Sequence, residues 1–567
     1  MLLYENQMYQ NKIATNWNNI DWKKADSDLA DLQYNILKAH RKEDSNLVLT
    51  TQHALIRSFA ARCLAVRKVT SNQGGNTPGI DGKTYNTDRE KFLAVQAVKD
   101  LKNYKADPVR RVYIPRPDGK KRPLGIPTIK DRVVQTLYLF ALDPIAEEQA
   151  DTRSYGFRMY HGVQDCITYL NLVCSSYTAT RRYVLDADIE QFFPSVSHQW
   201  LLDNIPIDRR ILKEFLKAGF CENFVFHPTS EGFPQGSPIS PALANMSLNG
   251  LQEWLGGEFL FVRYADDFLV LGKNKQVLNE NALPRIREFL EPRGLRLNLE
   301  KTQIREFEQG FDYLSFNFRE YPDPTRSKGT KQGIFLIKPS SKNVARFKRE
   351  LSKVVKEHRK LPINVLIQVL NRKLRGWSEH YRTVTSKKTF SSISYHLWKV
   401  CYTMLRKRHR KRNAKWVNNK YFTEVDGNKW ILCSKSKSGS EEKIDIKLFQ
   451  IAYVDIKRHS LCASINPYDP KNYDYFRSRV ANKSKHSILL GRVRSKLLKK
   501  QKGVCPVCNT RLLGWEDMEV HHVTSRKQGG NDKPKNLRLL HKTCHKQITT
   551  CKDEHLRATW RENGVID

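Results

Sequence analysis

The chain has 567 residues, with 98 Lys and Arg against 59 Asp and Glu, for a formal net charge of +39. That length suggests about three to five domains, and a hydrophobic content of 40% excludes a mostly disordered basic tail. The longest apolar stretches, such as Val133–Ala141, fall short of the ~18 residues a membrane span needs. Met1–Gln10 is too polar for a secretory signal, so no membrane partner and a cytoplasmic location are expected.

In chain order, residues 1–100 read as mainly helical, with apolar residues at helical spacing over Leu29–Ala39 and Leu55–Val69. The Gly/Asn-rich stretch Ser71–Gly82 interrupts them as a loop. Residues 101–335 alternate short β-rich runs (Val112–Pro115, Tyr183–Ile189, Phe259–Leu271) with helical segments, the pattern of an α+β domain. Residues 336–415 are helical and basic, ending in Arg406–Lys415, the densest run of positive charge. Residues 416–487 form a basic, aromatic-containing module with an exposed loop expected at Ser434–Glu442. Residues 488–567 hold a Cys/His-rich module, expected to bury its own core. A positive excess spread over the whole chain points to phosphate neutralisation, and so to nucleic acid. Eleven cysteines, with Cys505, Cys508, Cys544 and Cys551 crowded at the end, suggest metal binding in a reducing compartment rather than disulfides.

Phe259–Leu271 (FLFVRYADDFLVL) reads as a hairpin carrying Asp266 and Asp267 at its tip. Asp is also a common turn residue, but a second strand-like run, Tyr183–Ile189, carries Asp188. Three carboxylates on neighbouring strands can hold two Mg²⁺ ions ~3.5–4 Å apart for in-line phosphoryl transfer. Crowding like charges costs free energy unless cations neutralise them. Tyr264-Ala265-Asp266-Asp267 resembles the signature box of reverse transcriptases, and Asp188 with Phe192-Phe193 resembles their first carboxylate motif. Further motifs follow in family order. Arg111–Pro127 resembles the fingers hairpin, Gly232–Asn245 the template-binding Pro-Gln-Gly motif, and Leu295–Thr302 the motif carrying a Lys near the leaving group. The resemblance implies a right-hand polymerase fold with Asp188, Asp266 and Asp267 as ligands of Mg²⁺. It places Arg116 and Arg122 on the triphosphate of an incoming dNTP, Phe193 under the sugar and Gln235 near the template. Lys301 would be a proton donor to pyrophosphate, and Asp186 would be structural.

Leu370–Arg382 (LNRKLRGWSEHYR) resembles the maturase motif of group II intron-encoded proteins, found in a thumb-like domain X. Leu370, Leu374, Trp377 and Tyr381 form one helical stripe, read as core, beside Arg372, Lys373 and Arg375. Together with Arg406, Lys407, Arg408 and Arg410 these form the expected RNA-binding face. The resemblance implies group II intron RNA and target DNA as partners, with residues 416–487 on the DNA.

Cys505-Pro-Val-Cys508 and His541-Lys-Thr-Cys544 can supply four ligands to a tetrahedral structural Zn²⁺, with Cys551 as an alternative fourth ligand. Between and after these knuckles lie His521-His522, Asn536 and His545, in an arrangement resembling HNH endonucleases of the ββα-metal fold. That resemblance makes His521 and His545 ligands of Mg²⁺ or another divalent ion, His522 the general base, and Asn536 a residue that orients the site, as ligand or clamp. A purely structural zinc ribbon is the plainer reading of the same cysteines. Taken together, the motifs imply an intron-encoded reverse transcriptase, maturase and endonuclease that works by target-primed reverse transcription. A free-standing reverse transcriptase of a defence or CRISPR-linked system and a splicing factor with dead enzyme sites are the alternatives.

Overall fold

A computed structural model describes residues 16–115, 119, 121–175, 180–322, 333–438, 441–486, 492–512, 518–551 and 553–567. The first helices, Trp22–Arg41, Ser45–Arg57 and Phe59–Ser71, pack with Ile129–Glu148. The run Leu55–Val69, expected to be one helix, is two. Ser58 takes an extended conformation and its hydroxyl accepts a hydrogen bond from the Ala61 N–H, so a cap for the next helix breaks the apolar pattern.

Strands β1 (Val109–Pro115) and β2 (Lys121–Ile126) form the fingers hairpin. The central antiparallel sheet then takes shape from β3 (Tyr183–Ala187), β6 (Leu260–Tyr264), β7 (Asp267–Gly272) and β8 (Gln303–Glu306), in the order β6-β7-β3-β8. The intervening β4 (Phe220–Glu222) and β5 (Val225–His227) extend the fingers sheet. Side chains alternate across the central sheet. Leu185, Phe261, Phe268 and Val270 enter one core, while Val184, Val262, Leu269 and Leu271 enter another. Both faces are covered, and this is why these strands read as unbroken apolar runs rather than as alternating ones.

Strands β9 (Phe311–Tyr313), β10 (Phe316–Tyr321) and β11 (Ile334–Pro339) lead into the helices Ser341–Glu357, Ile363–Tyr381 and Lys387–Arg408. The next module holds helix Ala414–Tyr421 and the sheet β12 (Phe422–Val425), β13 (Asn428–Ser438) and β14 (Glu441–Lys447). The loop expected at Ser434–Glu442 is therefore largely strand, since its polar residues suit an exposed hairpin as well as they suit a loop. At the C-terminus β15 (Met518–His522) pairs antiparallel with β16 (Leu537–His541), and helix Lys542–Thr550 packs on both. This module does not keep a core to itself. Its buried Leu498, Cys505, Leu539, Cys544 and Ile548 belong to the same apolar cluster as Trp17, Trp22 and Val66.

Candidate functional sites

The β6–β7 hairpin closes at Tyr264↔Asp267, so Ala265 and Asp266 form a two-residue loop. Ala265 holds a left-handed φ of 59°, a conformation that L-residues adopt at some cost. Gly156 lies so close that a Cβ there would meet the Ala265 nitrogen at 2.3 Å, and only glycine fits. On the neighbouring strand Ala187 pairs with Phe268. Asp188 follows Ala187 directly, and its charge acts on Asp267.

Asp267 opens β7 and is exposed, the rest of the strand being buried. Desolvation of its carboxylate and the charges of Asp266, Asp186 and Asp188 push it up to about 6, against the opposing charge of Arg122. Asp186 is also pushed up to about 6, by burial and by Asp188, with Arg305 opposing. Carboxylates that raise one another in this way suit a multivalent cation. Lys301 Nζ lies 2.8 Å from an Asp188 carboxylate oxygen, so the lysine sits directly against one of the proposed ligands.

Phe193 packs edge-on between Phe192 and Phe233, with ring centroids 5.5 Å from each. The Gln235 carbonyl accepts a 2.8 Å bond from the Gly125 N–H, tying the Pro-Gln-Gly segment to the base of the fingers hairpin. Arg122 lies on β2, exposed, and Arg116 falls outside the described residues.

In the basic helices Leu370, Leu374 and Tyr381 are buried, and Trp377 stacks on Phe347 at 5.0 Å. Among the flanking cations Arg372 is exposed, Lys373 pairs with Glu350, and the Arg375 guanidinium lies 5.3 Å from the Phe449 ring centroid. Arg406 Nη1 donates to the Arg412 carbonyl, and Arg408 donates to the carbonyls of Arg359 and Leu361. Lys407 and Arg410 are exposed. The run thus divides into two arginines that hold backbone and two cations that face solvent.

The C-terminal module contains two clusters. Cys505, Cys508, His541 and Cys544 are buried, and their ligand atoms all lie within 4.8 Å of one another. Burial alone would lower the His541 pKa, but hydrogen bonding to Cys505 and Cys508 and their charge push it up to about 11. So electron-rich a set fits a thiophilic cation such as Zn²⁺. Cys551 is not in this group; its Sγ lies 3.7 Å from Asn19 Oδ1.

The second cluster is carried by β15 and helix Lys542–Thr550. His521 and His545 meet edge-on at 5.1 Å, and His545 Nδ1 lies 2.6 Å from Glu519. His521 Nε2 is buried without a hydrogen-bond partner among the described residues. Burial and the neighbouring His545 push this imidazole down to about 4. A neutral, unsatisfied imidazole nitrogen beside a second histidine fits a divalent ion. His522, next along the strand, contacts Asp532 at 2.7 Å through Nε2, and Arg526 holds the same carboxylate at 2.8 and 3.0 Å. Asn536 spends its amide on the loop, accepting from Thr524 N at 2.8 Å and donating to the carbonyls of Thr524 and Asn531. It is a loop clamp. Glu519 and Asp532 are absent from the sequence expectations. Glu519 was legible as the residue two before His521 on one strand face, whereas Asp532 is one of several polar residues in a turn.

Four family descriptions match the chain: N-terminal domain of reverse transcriptase over residues 17–98, reverse transcriptase (RNA-dependent DNA polymerase) over 114–318, group II intron, maturase-specific domain over 344–422, and HNH endonuclease over 505–550. Protein YkfC of Escherichia coli is 34% identical, over 44% of this chain and 78% of its own length. The group II intron-encoded protein LtrA of Lactococcus lactis is 24% identical over 82% of this chain and 88% of its own. A putative COX1/OXI3 intron 2 protein of Saccharomyces cerevisiae is 23% identical over 94% and 68%. No described helix is long and apolar enough to cross a membrane.

Proposed function

The chain belongs to the group II intron-encoded reverse transcriptase/maturases with a C-terminal HNH endonuclease domain, and from that premise we propose how its residues divide the work. It is an RNA-directed DNA polymerase and a DNA endonuclease. Asp188, Asp266 and Asp267 would hold Mg²⁺, which when bound activates a primer 3′-hydroxyl and stabilises departing pyrophosphate. The chain's own contribution would be to hold these carboxylates where the end of β3 meets the β6–β7 hairpin and to place Arg122, and by resemblance Arg116, against the dNTP phosphates. Phe193, wedged between two other rings, would limit the space beside the sugar. Lys301 would neutralise Asp188 before substrate arrives and then donate a proton toward pyrophosphate.

In the nuclease His521 and His545 would hold Mg²⁺ or another divalent ion, with Glu519 fixing the His545 ring. Asp532 engages one nitrogen of His522, which leaves Nδ1 to accept the proton of the attacking water. Cys505, Cys508, His541 and Cys544 would hold a structural Zn²⁺. The partners would be the intron RNA, bound by the basic thumb and stabilised in its folded state, and the target DNA, bound in part by residues 416–487. The reaction order would be intron insertion into one strand, nicking of the other, and extension of that 3′ end over intron RNA.

The observation carrying this reading is that the charges of Asp188, Asp186 and Asp266 converge on Asp267 at the β6–β7 turn, in a chain that also carries the His521/His545 cluster. The maturase-specific and nuclease matches disfavour a free-standing reverse transcriptase. Copurifying the protein with its RNA and sequencing that RNA tests the partner. Recovery of a group II intron is expected, and recovery of unrelated RNA alone would contradict it.

A further inference from the structure

Arg67, on helix Phe59–Ser71, is 2% exposed, and its guanidinium does not reach toward solvent. It reaches into the C-terminal module, where Nη2 lies 3.4 Å from Cys544 Sγ and 3.8 Å from Cys508 Sγ. The guanidinium also lies over the Trp22 ring, 4.8 Å from its carbon to the centroid. The helix that carries Cys544 makes further contacts with the N-terminal segment. Gln547 Nε2 donates to the carbonyls of Ile20 at 2.7 Å and Asn18 at 3.1 Å, and Lys546 Nζ pairs with Asp88 at 2.8 Å. Trp17, Ile20, Trp22, Cys505, Cys508, Cys544 and Ile548 share one apolar cluster.

We propose that Arg67 is the charge partner of the zinc knuckle, and that this knuckle is the clasp seating the nuclease module on the N-terminal helical domain. Three thiolates and a neutral imidazole around a dication leave one net negative charge, and buried net charge is costly unless it is paired. One guanidinium cancels it. Donation to the thiolates fixes their orientation around the ion and disperses the charge of the loaded set. The converse also holds. Without zinc the knuckle loses the ion that gathers its four side chains, and with it the geometry that sets Cys508 and Cys544 against Arg67. Zinc loading of the nuclease and closure of the N-terminal domain against it are therefore linked, each stabilising the other. The knuckle is then a partner surface facing the polymerase half of the same chain, rather than a free DNA-binding face.

This inference rests on the knuckle holding zinc, which the metal content of the purified full-length wild type checks first. Arg67→Met keeps much of the volume and removes the charge, while Arg67→Lys keeps the charge without the fork. Zinc transfer to a chromophoric chelator should be about 10- to 100-fold faster from Arg67→Met than from wild type, with Arg67→Lys between them. Hydrogen exchange on the wild-type chain supplies a reading independent of any variant. Stripping zinc should remove protection at residues 16–22 and 59–71, far away in sequence from every ligand. Wild-type zinc release from Arg67→Met, or unchanged protection at those residues after stripping, would overturn the clasp while leaving the zinc site intact. A wild-type protein without zinc would overturn both. If Arg67→Met does not accumulate as folded protein, the exchange experiment alone decides.

Discussion

Asp186→Asn is a sensitive perturbation of the polymerase centre, because it alters the electrostatics of the carboxylate cluster without removing a proposed ligand. Asp267 is pushed up to about 6, and the Asp186 charge is one of the causes. A cation that binds ionised Asp267 competes with its proton, so the Mg²⁺ concentration needed for half-maximal primer extension should rise as the pH falls. With that pKa the requirement grows about fourfold from about pH 7.5 to about pH 5.5, and about tenfold by pH 5. An ordinary aspartate would give almost no change over that range. Asp186 is itself pushed up to about 6, so its charge acts on Asp267 most strongly above that pH. Removing the Asp186 charge lowers the Asp267 pKa, and the rise in Mg²⁺ requirement should move to lower pH while extension persists. The assay is single-nucleotide extension of a DNA primer on an RNA template, titrated with Mg²⁺ at each pH. A requirement that stays flat down to about pH 5.5, or one that rises at the same pH in both proteins, would refute a shared cation site at these carboxylates.

His522→Ala should reduce nicking of a labelled target strand by ~10²–10⁴-fold with zinc content unchanged, as expected for loss of a general base. Asp532→Asn should cost less, about tenfold or below, because the exposed carboxylate is screened by solvent and acts only through His522. Neutralising exposed Lys407 and Arg410 should flatten the log–log salt dependence of intron RNA binding by about one and a half units. Arg408→Ala should instead lower the thermal stability of the thumb, since its guanidinium holds two carbonyls. His521 takes up a proton at about 4 in the folded chain and at about 6.5 unfolded, so its contribution to stability is present above about pH 6.5 and lost as the pH falls toward 4. In the absence of metal, His521→Gln should therefore flatten the rise in melting temperature of the C-terminal module between those pH values.

The central hairpin was legible in the sequence because its chemistry and its turn coincide. Two carboxylates interrupt two apolar runs, and the pattern admits few other folds. The thumb stripe was legible for a similar reason, with Leu370, Leu374 and Tyr381 at helical spacing buried as expected. The knuckle spacing marked candidate ligands, and three-dimensional proximity groups His541 rather than Cys551 with Cys505, Cys508 and Cys544, which a count of residues could not. Hidden from the sequence were contacts made across long separations. Nothing local to Arg67 distinguishes it from the other cations of a strongly basic chain, and its sulfur partners lie over four hundred residues away. The same limit explains why the C-terminal module reads as self-contained. Its apolar residues are visible in the sequence, but the Trp17 and Trp22 side of the shared core is not. Ser58 shows the opposite case, a local cap signal that prevails in the structure although apolar periodicity on either side masks it in the sequence.

The most direct test of two separate chemical centres on one chain is target-primed extension by the protein–intron RNA complex on a DNA duplex with both strands labelled. Asp267→Asn should nick the second strand at the wild-type rate and add no nucleotides to the new 3′ end. His522→Ala should leave that strand uncut on intact duplex, yet extend normally when the nick is supplied in advance. Extension by Asp267→Asn, or failure of His522→Ala to extend the pre-nicked duplex, would contradict the assignment of polymerase and nuclease to these two sites.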